Sequence, residues 1–334
     1  MYATWMSWCQ VADDQRAPVV SVVIPLHNEE GNIVQLVAQV DAALGDVAEL
    51  DFILVDDGST DDTLSETRQL ATTRSDVTAL SLSRNFGHQA ALAAGIDAAF
   101  GDAVVMMDGD GQHPASVLRQ MFDAWNGGAL VVVGKRRATE HLSWGKRATS
   151  KLYHRVLGST SAHPPIPGAS DFRLVDARVA DALRQAQSRT MFYRGLLPWL
   201  GFDPAVIEYE EADRVHGTSS YSVGKMLRLS AAGIISYSRL PFLLVLSAVF
   251  ATALLFLGYS AFVLYERFVS GDAAPGQASI LLTIMITSLV QLIAISVAVI
   301  YAYRAYTEVS NRPLYVLREE IGSHRRREHR RDRP

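Results

Sequence analysis

Two long apolar runs constrain this chain more than any other feature. Leu240 to Tyr265 and Ile280 to Tyr303 each run for about 24 to 26 residues almost without charge, enough for a helix to cross a hydrocarbon core of about 30 Å. A soluble core helix normally keeps a polar stripe. These segments are apolar all round, with Gln291 the one strongly polar side chain of the second, so two transmembrane helices are expected, 240–265 and 280–303. Glu266, Arg267 and Asp272 lie between them, whereas Lys225, Arg228 and Arg239 precede the first and Arg304 and a basic tail follow the second. The positive-inside rule puts both chain ends in the cytoplasm and makes this a multi-pass protein of the cytoplasmic (inner) membrane.

The flanks fit that arrangement. Residues 221–239 place Lys225 and Arg228 on one helical side and Met226, Leu229 and Ile234 toward another, the pattern of an amphipathic helix lying on the membrane. Residues 304–334 form a basic cytoplasmic tail with Arg325, Arg326, Arg327, Arg330, Arg331 and Arg333, suited to an anionic membrane surface. Residues 1–18 are an N-terminal extension in which Asp13 and Asp14 break any signal-peptide pattern. A single cysteine, Cys9, cannot form an internal disulfide, which favours a reducing compartment.

Residues 19–220 alternate two patterns. Val19 to Ile24, Phe52 to Val55, Val77 to Leu82, Ala103 to Met107 and Leu130 to Val133 are short and apolar, as buried strands of a largely parallel sheet are. Gly31 to Leu44, Asp61 to Thr73, His88 to Phe100 and Ala115 to Trp125 have helical periodicity, with Ser59 or Thr60 as N-cap of the second. The expected fold class is α/β, a doubly wound, mostly parallel sheet. No Gly-x-Gly-x-x-Gly follows the first strand, which argues against a dinucleotide oxidoreductase.

In open α/β sheets ligands bind beyond the carboxyl ends of the strands, and three strands here end in polar clusters. The first ends Pro25-Leu26-His27-Asn28-Glu29-Glu30 and the second Asp56-Asp57-Gly58-Ser59-Thr60, groups able to bond a ribose diol or a base. The fourth ends Asp108-Gly109-Asp110-Gly111-Gln112-His113-Pro114. Two carboxylates at that spacing are hard oxygen ligands for Mg2+ or Mn2+, which would neutralise a diphosphate leaving group. Lys135, Arg136 and Arg137 follow the fifth strand, and Lys146, Arg147 and Arg214 lie further on, a basic set able to clamp a phosphate. The spacing of His27, His88, His113 and His216 makes no zinc site, so these histidines are read as packing and hydrogen-bonding residues.

Five stretches in this order resemble the polyprenyl-phosphate glycosyltransferases of the inverting GT-A family 2, which include dolichol-phosphate mannose synthases and bacterial undecaprenyl-phosphate glucosyltransferases. They are Val-Val-Ile-Pro-Leu-His-Asn-Glu-Glu from Val22, Val-Asp-Asp-Gly-Ser-Thr-Asp from Val55, Ser-Arg-Asn-Phe-Gly-His-Gln-Ala-Ala from Ser83, Asp-Gly-Asp-Gly-Gln-His-Pro from Asp108, and Ser-Asp-Phe-Arg-Leu from Ser170. The resemblance spans roughly residues 19 to 310. Gly111 departs from it, since the family usually has leucine there.

That resemblance implies a GT-A catalytic domain. It puts Pro25, Asn28, Glu29, Asp56 and Asp57 at the nucleotide, Asp108, Asp110 and Gln112 at the metal, and Asp171 as the acid opposite it, a base with limited work to do. Arg136, Lys146, Arg147 and Arg214 would hold the acceptor phosphate. The implied reaction moves a sugar, glucose from UDP-glucose as the leading choice, onto undecaprenyl or another polyprenyl phosphate. Its partners are a nucleotide sugar, a polyprenyl phosphate and the bilayer, without nucleic acid; a homo-oligomer is compatible with the sequence. Two other readings stand beside it. A processive family 2 polysaccharide synthase needs a Gln-x-x-Arg-Trp motif and more spans, and Gln185 to Arg194 offers no such motif. A lipid-carrier transporter or scaffold needs polar groups inside the spans, where only Gln291 qualifies.

Overall fold

Continuous apolar strands buried on both faces require helices above and below them, and a computed structural model of the chain has that layering. It describes residues 16–137, 166, 168–186, 193–210, 240–265, 276–310 and 313–322. The first half winds regularly: β1 (Val19–Leu26), α1 (Ile33–Leu44), β2 (Glu49–Asp56), α2 (Thr63–Thr73), β3 (Val77–Leu82), α3 (His88–Ala98), β4 (Ala103–Met106) and α4 (Ala115–Asn126). Next come β5 (Val131–Arg136), β6 (Ala169–Asp176), α5 (Ala177–Gln185), α6 (Tyr193–Trp199) and β7 (Ala205–Tyr209). Two apolar helices, α7 (Leu240–Tyr265) and α8 (Gly276–Val309), precede a last strand, β8 (Leu317–Ile321).

The eight strands form one sheet in the order β7-β5-β6-β4-β1-β2-β3-β8. It is mixed, with four parallel neighbour pairs and three antiparallel ones. β1 to β5 and β7 run one way while β6 and β8 run the other, so the carboxyl ends of the six and the amino ends of the two share one end of the sheet. On one face α1 and α4 pack through Leu36, Val40, Leu118 and Phe122. On the other, α3, α5 and α6 pack through Leu92, Ile96, Val179 and Leu197. The period of two along a strand decides which face each residue serves: Val22 and Ile24 join the first core, Val23 the second.

The structure bears out a mostly parallel sheet while adding to it, and corrects two other expectations. The sheet gains antiparallel strands at positions where the apolar runs gave no sign of them. The residues expected to form a free basic tail include β8, which pairs antiparallel with β3 and covers an edge that would otherwise expose unpaired backbone groups. The N-cap of α2 is Asp62, because Ser59 and Thr60 are engaged with Asn28 on the neighbouring loop.

Among the described residues one helix, α8, is long and apolar enough to cross a membrane, over Ile286–Tyr303. The described apolar stretch of α7, Ser247–Tyr259, is shorter, although α7 has no charged residue along its length. The two helices touch each other, and large apolar side chains such as Leu257 and Leu292 remain exposed on them. The expected interfacial segment 221–239 lies outside the described residues, as do Lys146, Arg147 and Arg214.

Candidate active site

Strand order reverses at β1, which has β2 on one side and β4 on the other, and a crevice beyond the carboxyl ends follows from that reversal. The loops after β1 and β2 are laced together across it. Asn28 adopts a left-handed backbone, φ 57°, a conformation asparagine tolerates better than most residues. Its N–H donates to Ser59 Oγ at 3.1 Å and its Oδ1 accepts from Thr60 N–H at 2.9 Å. Glu29 N–H donates to Thr63 Oγ1 at 2.8 Å, and the Glu29 carboxylate accepts from Asn32 Nδ2 at 3.0 Å.

Both carboxylates at the end of β2 are buried and committed to loops. Asp56 accepts from Ser59 N–H at 3.0 Å and from Ser81 Oγ at 3.3 Å. Asp57 takes the N–H of Phe86 on one oxygen, 2.7 Å, and that of Gly87 on the other, 2.9 Å. Burial pushes the Asp57 carboxyl above its ordinary range, against the opposing pull of those two N–H groups and of His27. Asp57 therefore fixes the loop that leads into α3, whose first residue is His88.

The end of β4 is built differently. The pairing of β4 with β6 runs from Ala103↔Asp176 to Met106↔Arg173, which leaves Asp108 and Asp171 near each other just beyond its end. Like charges so placed repel, and His88 enters from the start of α3 to meet both: its Nε2 lies 3.5 Å from Asp108 Oδ1 and 3.7 Å from Asp171 Oδ2. Arg173, two residues from Asp171, turns to the carbonyls of Ser170 and Tyr193 at 3.0 Å each.

Behind Asp108, on the other face of the sheet, lies His113. Its ring is 1% exposed, stacks on Phe172 with centroids 4.4 Å apart, and meets Tyr209 edge-on at 6.0 Å. Asp108 N–H donates to its Nδ1 at 3.2 Å, so the ring is neutral with its proton on Nε2, an atom without a hydrogen-bond partner among the described residues. Burial is the main cause that lowers its pKa to about 4. Two glycines shape this turn. A Cβ on Gly109 would sit 2.5 Å from Leu26 Cδ2, and Gly111 has φ +71°, so the residue that departs from the family pattern occupies a conformation that favours glycine. Asp110 Oδ1 accepts from Gln112 N–H at 3.1 Å.

With that geometry in view, the comparisons with known proteins decide the family. The family model described as glycosyl transferase family 2 matches residues 21–179. A glycosyltransferase of Synechocystis sp. is 34% identical over 304 residues, 91% of this chain and 96% of the relative. The chain belongs to glycosyl transferase family 2. The SfII prophage-derived bactoprenol glucosyl transferase of Shigella flexneri is also 34% identical, over 308 residues, 92% of this chain and 98% of that one. Glucosyl-3-phosphoglycerate synthase from Mycobacterium tuberculosis, solved with Mn2+ and UDP-glucose, superposes with a TM-score of 0.45 at 21% identity, covering 66% of this chain and 77% of that one.

In this family 2 glycosyltransferase, with its GT-A sheet, the basic run at the end of β5 divides by strand alternation. Lys135 bonds Glu208 at 2.7 Å, and Arg137 approaches Glu208 and Glu210 at 3.8 and 3.4 Å, so both lie along the β7 edge. Arg136 points the other way and its charge reaches His113. The described residues thus bring together Asp108, Asp171, His88, His113 and Arg136. His88 is the site member that spacing alone missed; its signal was its position as the first helical residue after a glycine, Gly87 at φ +100°.

No cluster of three His, Cys, Asp or Glu side chains among the described residues is arranged to hold a metal ion. The donor set nevertheless fits Mg2+ or Mn2+, since such ions are commonly bound by one or two carboxylates with substrate phosphates completing the shell. Asp108 and Asp110 supply two carboxylates on one turn.

Proposed function

We propose that this enzyme transfers a sugar, glucose from UDP-glucose in the first instance, to a polyprenyl phosphate at the cytoplasmic face of the membrane, with inversion at the anomeric carbon. The observation that supports this best is the meeting of Asp108, Asp171 and His88 at the sheet end, with Arg136 close enough to His113 for its charge to act there. The name of the Shigella flexneri relative, matched over nearly its whole length, supports glucose and a lipid acceptor, and the exposed apolar surface of α7 and α8 supports a two-span hairpin.

Asp108, Asp110 and Gln112 would hold Mg2+ or Mn2+, which when bound offsets the charge of the nucleoside diphosphate leaving group. Pro25 and Glu29 line the nucleotide pocket, while Asn28, Asp56 and Asp57 frame it by fixing its loops. Arg136, with Lys146, Arg147 and Arg214, holds the acceptor phosphate. A phosphate monoester is already mostly dianionic near pH 7, its second pKa being about 6, so its oxygen attacks the anomeric carbon as the bond to the nucleoside diphosphate breaks. Asp171 and His88 position the attacking group more than they deprotonate it, and the barrier falls mainly through alignment and charge stabilisation.

The test is to incubate membranes containing the protein with radiolabelled UDP- and GDP-sugars, undecaprenyl phosphate and Mg2+ or Mn2+, and to extract the lipid. Label from UDP-glucose in the lipid, lost in Asp110→Ala, is expected. Unlabelled lipid with every common donor, or labelling indifferent to Asp110→Ala, sinks the proposal.

A further inference from the structure

The chain leaves the sheet for the apolar helices from one edge strand and returns to the opposite edge strand. Among the described residues β7 is the last strand before α7 and β8 the first after α8, and they occupy the two ends of the order. Strand direction adds a second fact. β7 runs parallel to β5, so its exit at Tyr209 lies at the end of the sheet that holds Asp108 and Asp171. β8 runs antiparallel to β3, so its entry at Leu317 lies at that same end. The two connections are separated by seven strand spacings, about 34 Å, and both leave from the site end.

The return connection is short and firmly docked. Ser310, just after α8, and Leu317 are seven positions apart, a reach of at most about 25 Å. Val316 C=O accepts from Ser83 N–H at 2.8 Å, and Tyr315 Oη donates to Asp97 Oδ2 on α3 at 2.8 Å. Leu314 and Tyr315 pack on the α3-side core, and Glu319 pairs with Arg68 of α2. At the far end Gly322 has φ +86°, and a Cβ there would come within 2.3 Å of Val77 O. These contacts fix the post-helix segment to β3 and α3, the elements flanking the loop that delivers His88.

We infer that the catalytic domain is suspended from the membrane hairpin at both edges of its sheet, with residues 313–322 as the second tether that keeps the site end turned toward the bilayer. One attachment lets a domain swing about its linker. A second, about 34 Å away across the sheet, restricts that swing and raises the effective concentration of the site at the lipid surface. Tyr315, Glu319 and Gly322 are positioning residues: none is among the residues assigned to either substrate, and their effect depends on where the acceptor resides. The inference rests on the proposed lipid acceptor and on α7 and α8 as a membrane hairpin.

The experiment compares two acceptors for the full-length protein in proteoliposomes: undecaprenyl phosphate in the bilayer and a water-soluble short-chain prenyl phosphate. Gly322→Val undocks β8, Tyr315→Phe removes one bond, and Glu319→Arg breaks an ion pair that Arg68→Glu restores. Gly322→Val and Glu319→Arg are expected to slow transfer to the bilayer acceptor by about five-fold or more, and Tyr315→Phe by about two-fold, through lost positioning. Transfer to the soluble acceptor and the KM for UDP-glucose should stay nearly unchanged, and Arg68→Glu should rescue Glu319→Arg. Equal losses on both acceptors, or none on either, overturn the tether. A readout independent of turnover is a fluorophore on Val34→Cys, exposed in the first turn of α1 at the site end, in a Cys9→Ser background. Headgroup quenchers should dim it, and less so in Gly322→Val; unchanged quenching overturns the tether. If wild-type protein labels neither acceptor the proposed activity fails, and the quenching result alone decides the tether.

Discussion

At the ends of β1 and β2 the polar side chains bind the loops of their neighbours, whereas at the ends of β4 and β6 they face one another. Asn28, Asp56 and Asp57 satisfy backbone N–H groups of adjoining turns, and each carboxylate is closed off from water. Asp108 stands near Asp171 with a half-exposed imidazole between them. The first arrangement makes a rigid frame; in the second Asp171 is nearly as buried, but Asp108 keeps about a quarter of its side chain exposed and so keeps charge available to a ligand. Acidic residues at strand ends are therefore not one class, and substitution should separate them.

The largest expected effect falls on the available charges. Asp108→Asn preserves shape and the N–H bond to His113 while removing charge from the transfer step, so kcat should drop by about 100-fold to 1,000-fold, the range seen when one electrostatic stabiliser is lost. The melting temperature should hold or rise, because the repulsion with Asp171 is relieved. A destabilised Asp108→Asn protein would break the comparison.

Asp57→Ala should do the reverse. It strands two half-buried N–H groups, Phe86 and Gly87, each bonded to a charged acceptor, and bonds of that kind contribute about 1.5 to 3 kcal/mol each. A stability loss of about 3 to 5 kcal/mol in denaturant titration is expected, with Asp57→Asn recovering part of it. Full stability with lost donor binding would move Asp57 from frame to ligand.

These two variants also mark how far the sequence was legible. The parallel core was, because the middles of β1 to β5, such as Phe52 to Val55 and Val131 to Val133, are short apolar runs between turns. The turn that carries Asp108 and Asp110 was legible from two carboxylates beyond a buried strand. β6 and β8 were not, since Ser170-Asp171-Phe172-Arg173 hides its alternation behind a buried arginine that bonds carbonyls, and Leu317-Arg318-Glu319-Glu320 is a half-exposed edge that reads as a solvated tail. Nor could spacing divide the acidic residues by role. Whether Asp57 meets a ligand or the N–H of Phe86 depends on a loop 29 residues away.

His113 joins the two regions, since its stack on Phe172 ties the Asp108 turn to the strand of Asp171. Its pKa falls from 6.5 to about 4 in the folded state, so the unfolded chain binds the extra proton first as pH drops. The stabilisation is complete above about pH 6.5 and is lost as pH falls toward 4, by up to about 3 kcal/mol. His113→Phe keeps the stack and removes the titration, so its stability should vary less with pH across that window in urea titrations. Parallel curves for the two proteins would show that the imidazole is not held neutral by burial.

The smallest effect separates two adjacent cations. Lys135 and Arg136 are neighbours in sequence, but Arg136 lies on the His113 side of β5, while Lys135 meets Glu208 at the exposed β7 edge. An exposed pair of that kind contributes about 0 to 1 kcal/mol, so Lys135→Ala should change stability by less than that and transfer by less than about two-fold. Arg136→Ala should raise the KM for the acceptor phosphate by about ten-fold or more, as loss of a charge-assisted contact does, with the KM for UDP-glucose unchanged. Equal effects at the two positions would mean that the whole basic run acts as a diffuse field, in which case raising ionic strength should weaken acceptor binding in wild-type protein as strongly as Arg136→Ala does.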